Sequence, residues 1–145
     1  MFKQILCPID LKKEPVRVLE ALAGISSKYN SKITLLHISE DLLDKDQMLM
    51  TRVSINTIKD ENKEFAKTNK MKMNQILEKY NLTGDTVVRS GKASDEIIEF
   101  SEKNMNDLII IGDNGRHRLS DYLLGSTSSR VVNGVDCSVL VISNR

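Results

Sequence analysis

The chain has 145 residues, 40% of them hydrophobic and 28% charged, which is the length of one domain and the composition of a globular protein rather than a disordered segment. Lysine and arginine total 21 against 20 aspartates and glutamates, a formal net charge of +1, so no overall field draws the chain to nucleic acid or to a membrane surface. Neither partner is expected, and a single domain over 1–145 is.

The first residues, Met1 to Pro8, lack a charged start leading into an apolar core and a small-residue cleavage site. The apolar run there stops at Asp10. No stretch approaches the about 18 apolar residues that a spanning helix needs. Cys7 and Cys137 stand near opposite ends and form neither a CxxC pair nor a disulfide framework, so buried free thiols and a cytoplasmic location are expected.

In chain order, residues 3–9 read as a short apolar strand halted at Asp10, with Pro8 near its end because proline donates no ladder hydrogen bond. Pro15 suits a first helical turn, and Val16, Leu19, Leu22, Ala23 and Ser26 follow at helical spacing. Residues 32–38 return to a strand rich in branched side chains. The stretch 39–58 has no clear period. A charged helix over 59–80 is expected to bury Ile58, Phe65, Met73, Ile76, Leu77 and Tyr80. Lysines 59, 63, 67, 70, 72 and 79 alternate with Asp60, Glu61, Glu64 and Glu78, which marks a solvated face rather than a basic patch.

Residues 81–85 form a turn and 86–89 a strand. Residues 93–104 form a helix with Ile97, Ile98 and Phe100 inward and Asp95 and Glu96 complementing the dipole in its first turn. Residues 107–111 are an apolar strand ending at Gly112. A helix over about 126–133 and a strand over 138–143 complete the alternation. Continuous apolar strands separated by helices imply an α/β fold: a doubly wound, Rossmann-like, five-stranded parallel sheet of order 3-2-1-4-5 with helices on both faces.

In such a sheet ligands bind beyond the carboxyl ends of the strands, where strand order reverses. Here that point lies between the first and fourth strands, at Pro8-Ile9-Asp10 and Ile111-Gly112. Four of the seven glycines lie beyond position 111, at Gly112, Gly115, Gly125 and Gly134. The first three flank a loop that leads into a helix opened by Ser126 and Thr127. Glycines let backbone N–H groups approach an anion, the helix start adds its positive end, and Arg116 adds a cation. The arrangement suits a phosphate chain. Asp10 suits a ribose hydroxyl or an adenine amino group. Gly134 reads as a helix stop.

Neither common glycine motif is present. Thr86 stands at the first glycine position of a P-loop ending at Gly91-Lys92, and Ala93 follows the lysine. Asp10-Leu11-Lys12-Lys13 stands where GxGxxG would follow the first strand. The spacing Gly112-x2-Gly115-x9-Gly125-Ser126 instead matches the G-2x-G-9x-G-(S/T) signature of the ATP-binding branch of the universal stress protein family. Ile5-Leu6-Cys7-Pro8-Ile9-Asp10 resembles the family's first-strand "ILxPxD". Leu35-Leu36-His37-Ile38 resembles "LLHV", and Cys137 to Ile142 resembles "CPVLVV".

The resemblance spans essentially the whole chain. It implies a stress-response module that binds an adenine nucleotide, ATP or else AMP or ADP, with Mg²⁺ arriving on the nucleotide. It also implies homodimers paired through the last strand, 138–143. Position by position it assigns Pro8, Ile9 and Asp10 to base and ribose, Ile38 to the wall under adenine, and Gly112, Gly115, Gly125, Ser126 and Thr127 to the phosphates. Three positions depart from the pattern: Asp113-Asn114 replaces Ser/Thr-His, and Ser138 replaces proline before the last strand. An acid beside a triphosphate is repulsive unless a metal bridges them or its side chain points away.

His37, inside a buried strand, reads as a hydrogen-bonded core histidine, and His117 as a loop residue. Neither has companions at metal-ligand spacing, so no dedicated metal site is expected. No general base is evident and no catalytic residue is assigned. A slow ATPase or self-phosphorylating enzyme would have to rely on Asp113 or His117 near the terminal phosphate. A third reading is a dimeric interaction protein that binds no nucleotide.

Overall fold

The computed structural model describes residues 1–39, 55–113 and 124–143, with 55–61 described as backbone only. The strands are β1 (Gln4–Pro8), β2 (Lys32–Ser39), β3 (Gly84–Ser90), β4 (Leu108–Asp113) and β5 (Ser138–Ser143). The helices are α1 (Val16–Tyr29), α2 (Ile55–Lys79), α3 (Ala93–Lys103) and α4 (Ser126–Gly134). The sheet has five strands in the order β3-β2-β1-β4-β5, and every neighbouring pair is parallel. This is the expected architecture. Among the described residues no helix is long and apolar enough to cross a membrane.

Side chains alternate between the two faces of a strand, and both faces here are buried. Ile5, Cys7 and Ile9 of the first strand segment, with Ile33, Leu35, Leu108 and Ile110, pack against Val18, Leu19 and Leu22 of α1 and Met73 and Leu77 of α2. Leu6, Leu36, Ile109 and Ile111 point the other way, onto Ile97 and Phe100 of α3 and Val131 of α4. Each such side chain contributes about 1.5–3 kcal/mol by leaving water. Cys7 is a free thiol, and complete burial pushes it up to about 12. Cys137 is also free, half-buried, with its Sγ 3.5 Å from Ser101 Oγ.

The ladders are unequal. β1 and β2 pair from Gln4↔Lys32 to Pro8↔Leu36, and β4 and β5 from Leu108↔Ser138 to Asp113↔Ser143. Between β1 and β4 the register covers only Ile5↔Leu108 and Leu6↔Ile109. Below those pairs the seam is closed tightly. Asp107 accepts from the Lys3 N–H at 2.7 Å and the Gln4 N–H at 2.9 Å, and its own N–H donates to the Gln4 carbonyl at 3.0 Å. Above them, Pro8 has no N–H to offer, and the ladder of hydrogen bonds ends.

Several expectations are corrected. Val16 is 46% exposed, and α1 buries Val18 with Leu19, Leu22 and Ser26. Phe65 is 53% exposed, whereas Asn69, Met73 and Leu77 on the same helical stripe are buried. α2 begins at Ile55, β3 at Gly84, and β4 runs on to Asp113. A side chain at Gly84 would lie 2.5 Å from the Ile33 carbonyl oxygen, so the strand can begin there only with glycine. Gly134 is the last residue of α4 rather than a left-handed stop, and Val135 follows in extended conformation. A Cβ at Gly134 would meet Ile98 Cδ1 at 2.6 Å, so its smallness serves the contact between α3 and α4.

Candidate functional site

The end of the β1–β4 ladder lies at the reversal of strand order, where doubly wound sheets form their crevice. On the β1 side, Pro8 is half-buried, and Ile9 is buried with its side chain in the core against α1. The Ile9 N–H donates to the Leu36 carbonyl at 2.9 Å. The Ile9 carbonyl is 3.0 Å from His37 Nδ1, and because a carbonyl only accepts, that nitrogen carries the proton. His37 thus makes the hydrogen bond expected of it, though half-buried rather than in the core, and it fixes the backbone at the strand's end. Asp10 is exposed, and its Oδ1 accepts from the Lys12 N–H at 2.9 Å, an Asx-type turn that leads the chain toward α1. Ile38, near the end of β2, is half-buried against the core on the α3 side.

On the β4 side, Ile111 is a core residue, 5% exposed, while Gly112 and Asp113 are half-buried and still paired to β5. Gly115 and Arg116, like His117 and Ser120, lie outside the described residues. The chain is described again at Leu124, and Gly125 caps α4 with no side-chain hydrogen bond at the cap. The first intrahelical bond runs from the Ser129 N–H to the Gly125 carbonyl at 2.9 Å. The earlier N–H groups of the helix therefore have no intrahelical acceptor. Ser126 is exposed and Thr127 half-buried at this end.

Two contacts tie α4 to the end of β4. Ser128 Oγ donates to the Gly112 carbonyl at 3.3 Å, and the Gly125 N–H donates to Asp113 Oδ1 at 3.0 Å. Ser128 is 3% exposed, so its hydroxyl positions the helix and is not available to a ligand. Its place three residues after Gly125 was the sequence signal for that role. The Asp113 contact was not readable, because the acid and the amide stand on opposite sides of a loop. Among the described residues no three His, Cys, Asp or Glu side chains gather to hold a metal ion.

Pro8, Ile9, Asp10, Gly112 and the Gly125-Ser126-Thr127 turn thus all belong to the carboxyl-end rim of the sheet. The chemistry on offer is a backbone-lined helix start able to donate to an anion, with a carboxylate on each side of the strand reversal.

Comparisons with known proteins agree with this geometry. The sequence profile described as the Universal stress protein family matches residues 1–143. Universal stress protein A homolog 2 of Coxiella burnetii is 32% identical over 143 residues, covering 97% of this chain and 94% of that protein. The solved structure of MJ0577 of Methanocaldococcus jannaschii superimposes with a TM-score of 0.76 at 25% identity, covering 100% of this chain and 98% of that one. The universal stress protein from Archaeoglobus fulgidus, solved in complex with dAMP, shares the fold at a TM-score of 0.63 and 18% identity, with 98% and 99% coverage. Profile, relative and fold coincide over nearly the full length, and the chain belongs to the universal stress protein family.

Proposed function

We propose that this chain is a cytoplasmic regulatory module that holds an adenine nucleotide in the β1/β4 crevice and uses occupancy to bias its contacts with partners. The observation that carries the reading is the two-pair ladder between β1 and β4, beside a helix start whose first N–H groups have no intrahelical acceptor. Pro8, Ile9 and Asp10 would meet base and ribose, with Ile38 beneath the base. Gly112, Gly115, Arg116, Gly125, Ser126 and Thr127 would meet the phosphates, with Ile111 supporting them from the core. The dAMP complex of the Archaeoglobus fulgidus protein supports an adenine nucleotide as the ligand class. The glycine spacing alone points to ATP, with Mg²⁺ as the counter-ion it brings.

The same reading includes a homodimer. β5 is an outer strand of the sheet, and its Val139, Leu140, Val141 and Ile142 are only half-buried. An edge of this kind pairs readily with a second copy. Molar mass measured by light scattering on the eluted protein checks it, with a dimer expected.

Isothermal titration with ATP, ADP and AMP tests the nucleotide reading. Binding of at least one is expected, and failure of all three at millimolar concentration would leave the reading of a nucleotide-free interaction protein in its place. Gly125→Val is expected to abolish binding while the domain stays folded. Its Cβ would sit 3.2 Å from Asp113 Oδ1, against the helix start itself. Undiminished affinity in a folded Gly125→Val protein would show that this turn is not the anion site.

A further inference from the structure

We propose that β3 is a second self-pairing edge of the sheet, through which two copies of this chain join antiparallel about Val87. Among the described residues β3 is the outermost strand on the side away from β5, so this edge is distinct from the one in the dimer reading above. Its residues, Gly84–Ser90, keep unbroken register with Ile33–Ser39 of β2, and neither proline nor bulge blunts them.

Two bonds fix which backbone groups the edge presents. The Gly91 N–H donates to the Ser39 carbonyl at 3.1 Å, and Ser39 Oγ donates to the Arg89 carbonyl at 3.3 Å, so the odd-numbered residues face β2. These groups alternate in direction along a strand. The N–H and C=O groups of Gly84, Thr86, Val88 and Ser90 therefore face outward, away from β2. Side chains alternate as well. Val88 packs with the cluster under α1 and α2, and Val87 with the cluster under α3. Asp85 and Arg89 share the face of Val87, along a groove of about 640 Å³ that also meets Phe100 of α3.

The order of charges names the second copy as the occupant. Antiparallel pairing of β3 with itself about Val87 sets Asp85 opposite Arg89 twice, and Val87 opposite Val87. Because the odd-numbered backbone groups face β2, these are the non-hydrogen-bonded positions, where facing side chains come closest. Thr86 with Val88 and Gly84 with Ser90 then meet as hydrogen-bonded pairs. Moving the centre to Thr86 or Val88 sets one of the charges against a valine and loses both ion pairs. A strand that guards against its own kind carries like charges at mirrored positions, whereas β3 carries opposite ones.

The existing partners of these two residues leave room for the new pair. Asp85 Oδ2 is 3.2 Å from Lys32 Nζ, with both groups exposed. Arg89 Nη1 is 3.8 Å from Glu96 Oε2, and its guanidinium lies 5.2 Å from the centre of the Phe100 ring. A carboxylate has a second oxygen and a guanidinium has five N–H donors, so each takes a group from the other copy without releasing its neighbour.

The test is molar mass by light scattering over a range of concentrations, for the wild-type chain, Asp85→Arg, Arg89→Asp and the double variant. Thermal unfolding of each confirms that it is folded. A single reversal sets two like-charge pairs in the interface and is expected to weaken this association about tenfold. The double variant exchanges the charges and is expected to recover the wild-type profile. An equimolar mixture of the two single variants is expected to recover it too, since every charge then meets its opposite. In the wild-type chain, amide hydrogen exchange within 84–90 is expected to slow as concentration rises, a readout that needs no variant.

A mass profile that both reversals leave unchanged overturns the proposal, and a dimer persisting throughout then leaves the β5 reading intact. A loss of mass that neither the double variant nor the mixture restores also overturns it. So does exchange within 84–90 that is independent of concentration.

Discussion

The two ends of β4 carry the same kind of side chain in different service. Asp107 stands just before β4 and Asp113 ends it, and each carboxylate accepts backbone N–H groups across a gap in sequence. Asp107 binds two amides of the neighbouring strand's start and locks β4 to β1. Asp113 binds the start of α4. One acid joins the two central strands, and the other joins β4 to the helix that follows it. The difference is that the amino end of this seam is stitched by side chain and backbone together, whereas at the carboxyl end the first N–H groups of α4 lack an intrahelical acceptor.

The sharpest way to break the contrast is at the fork. Ile109 is fully buried and is paired with Leu6 at the last rung of the β1–β4 ladder. Ile109→Ala is expected to cost about 2–5 kcal/mol in urea unfolding, the usual range for emptying a core site. A cost below about 1 kcal/mol would mean that packing does not hold the fork closed from below.

Asp107→Ala comes next. It removes two charge-assisted bonds to half-exposed or exposed partners, so a loss of about 1–2 kcal/mol is expected, with nucleotide affinity unchanged. Asp113→Ala should cost about 1 kcal/mol through the lost bond to the Gly125 N–H, the usual scale for a contact at a helix start. Reversal of that order in parallel urea titrations would erase the distinction between a stitching acid and a site acid.

The smallest effect belongs to a clamp remote from both ends. Glu14 Oε1 accepts from Lys79 Nζ at 2.8 Å and from the Tyr80 hydroxyl at 2.6 Å, tying the approach to α1 to the end of α2. The bonds from Lys79 and Tyr80 hold the Glu14 carboxyl below its ordinary value, and the bond to Glu14 pushes the Tyr80 phenol up to about 12. A raised phenol contributes stability that is complete below its unfolded value near 10 and is lost as pH climbs toward 12. The lowered carboxyl contributes above the usual carboxylate range and is lost as pH falls through its depressed value. Tyr80→Phe should slightly lower the melting temperature at neutral pH and flatten its decline above pH 10. The change is small because solvent reaches the cluster.

Much of this fold was legible because its strands are unbroken apolar runs, a pattern that only a sheet covered on both faces explains. Leu6, Ile109 and Ile110 carry that signal and are fully buried. Phe65 shows where periodicity misleads. It shares a stripe with Asn69, Met73 and Leu77, but α2 has 25 residues against 7 in β3, and its amino-terminal half outruns the strand it packs on. Amphipathic spacing reports a face and not how far the sheet extends beneath it. At the candidate site, the glycines and the strand ends were readable as backbone features. The pairing of Asp113 with the Gly125 amide was not, since it depends on how a loop returns and no local preference encodes that. His37 succeeded for the opposite reason, because a polar ring within a buried strand must find a partner, and the Ile9 carbonyl lies beside it.

The two-rung seam also divides the sheet mechanically. β3-β2-β1 and β4-β5 are two blades, each laced along its own length and joined to the other near one end. Ladder bonds are either made or not made, so they fix each blade rigidly. The angle between the blades is set by side chains packed above and below, which yield by degrees. The two halves of the sheet thus depend on side-chain packing above and below, more than on backbone bonds, to stay joined toward their carboxyl ends.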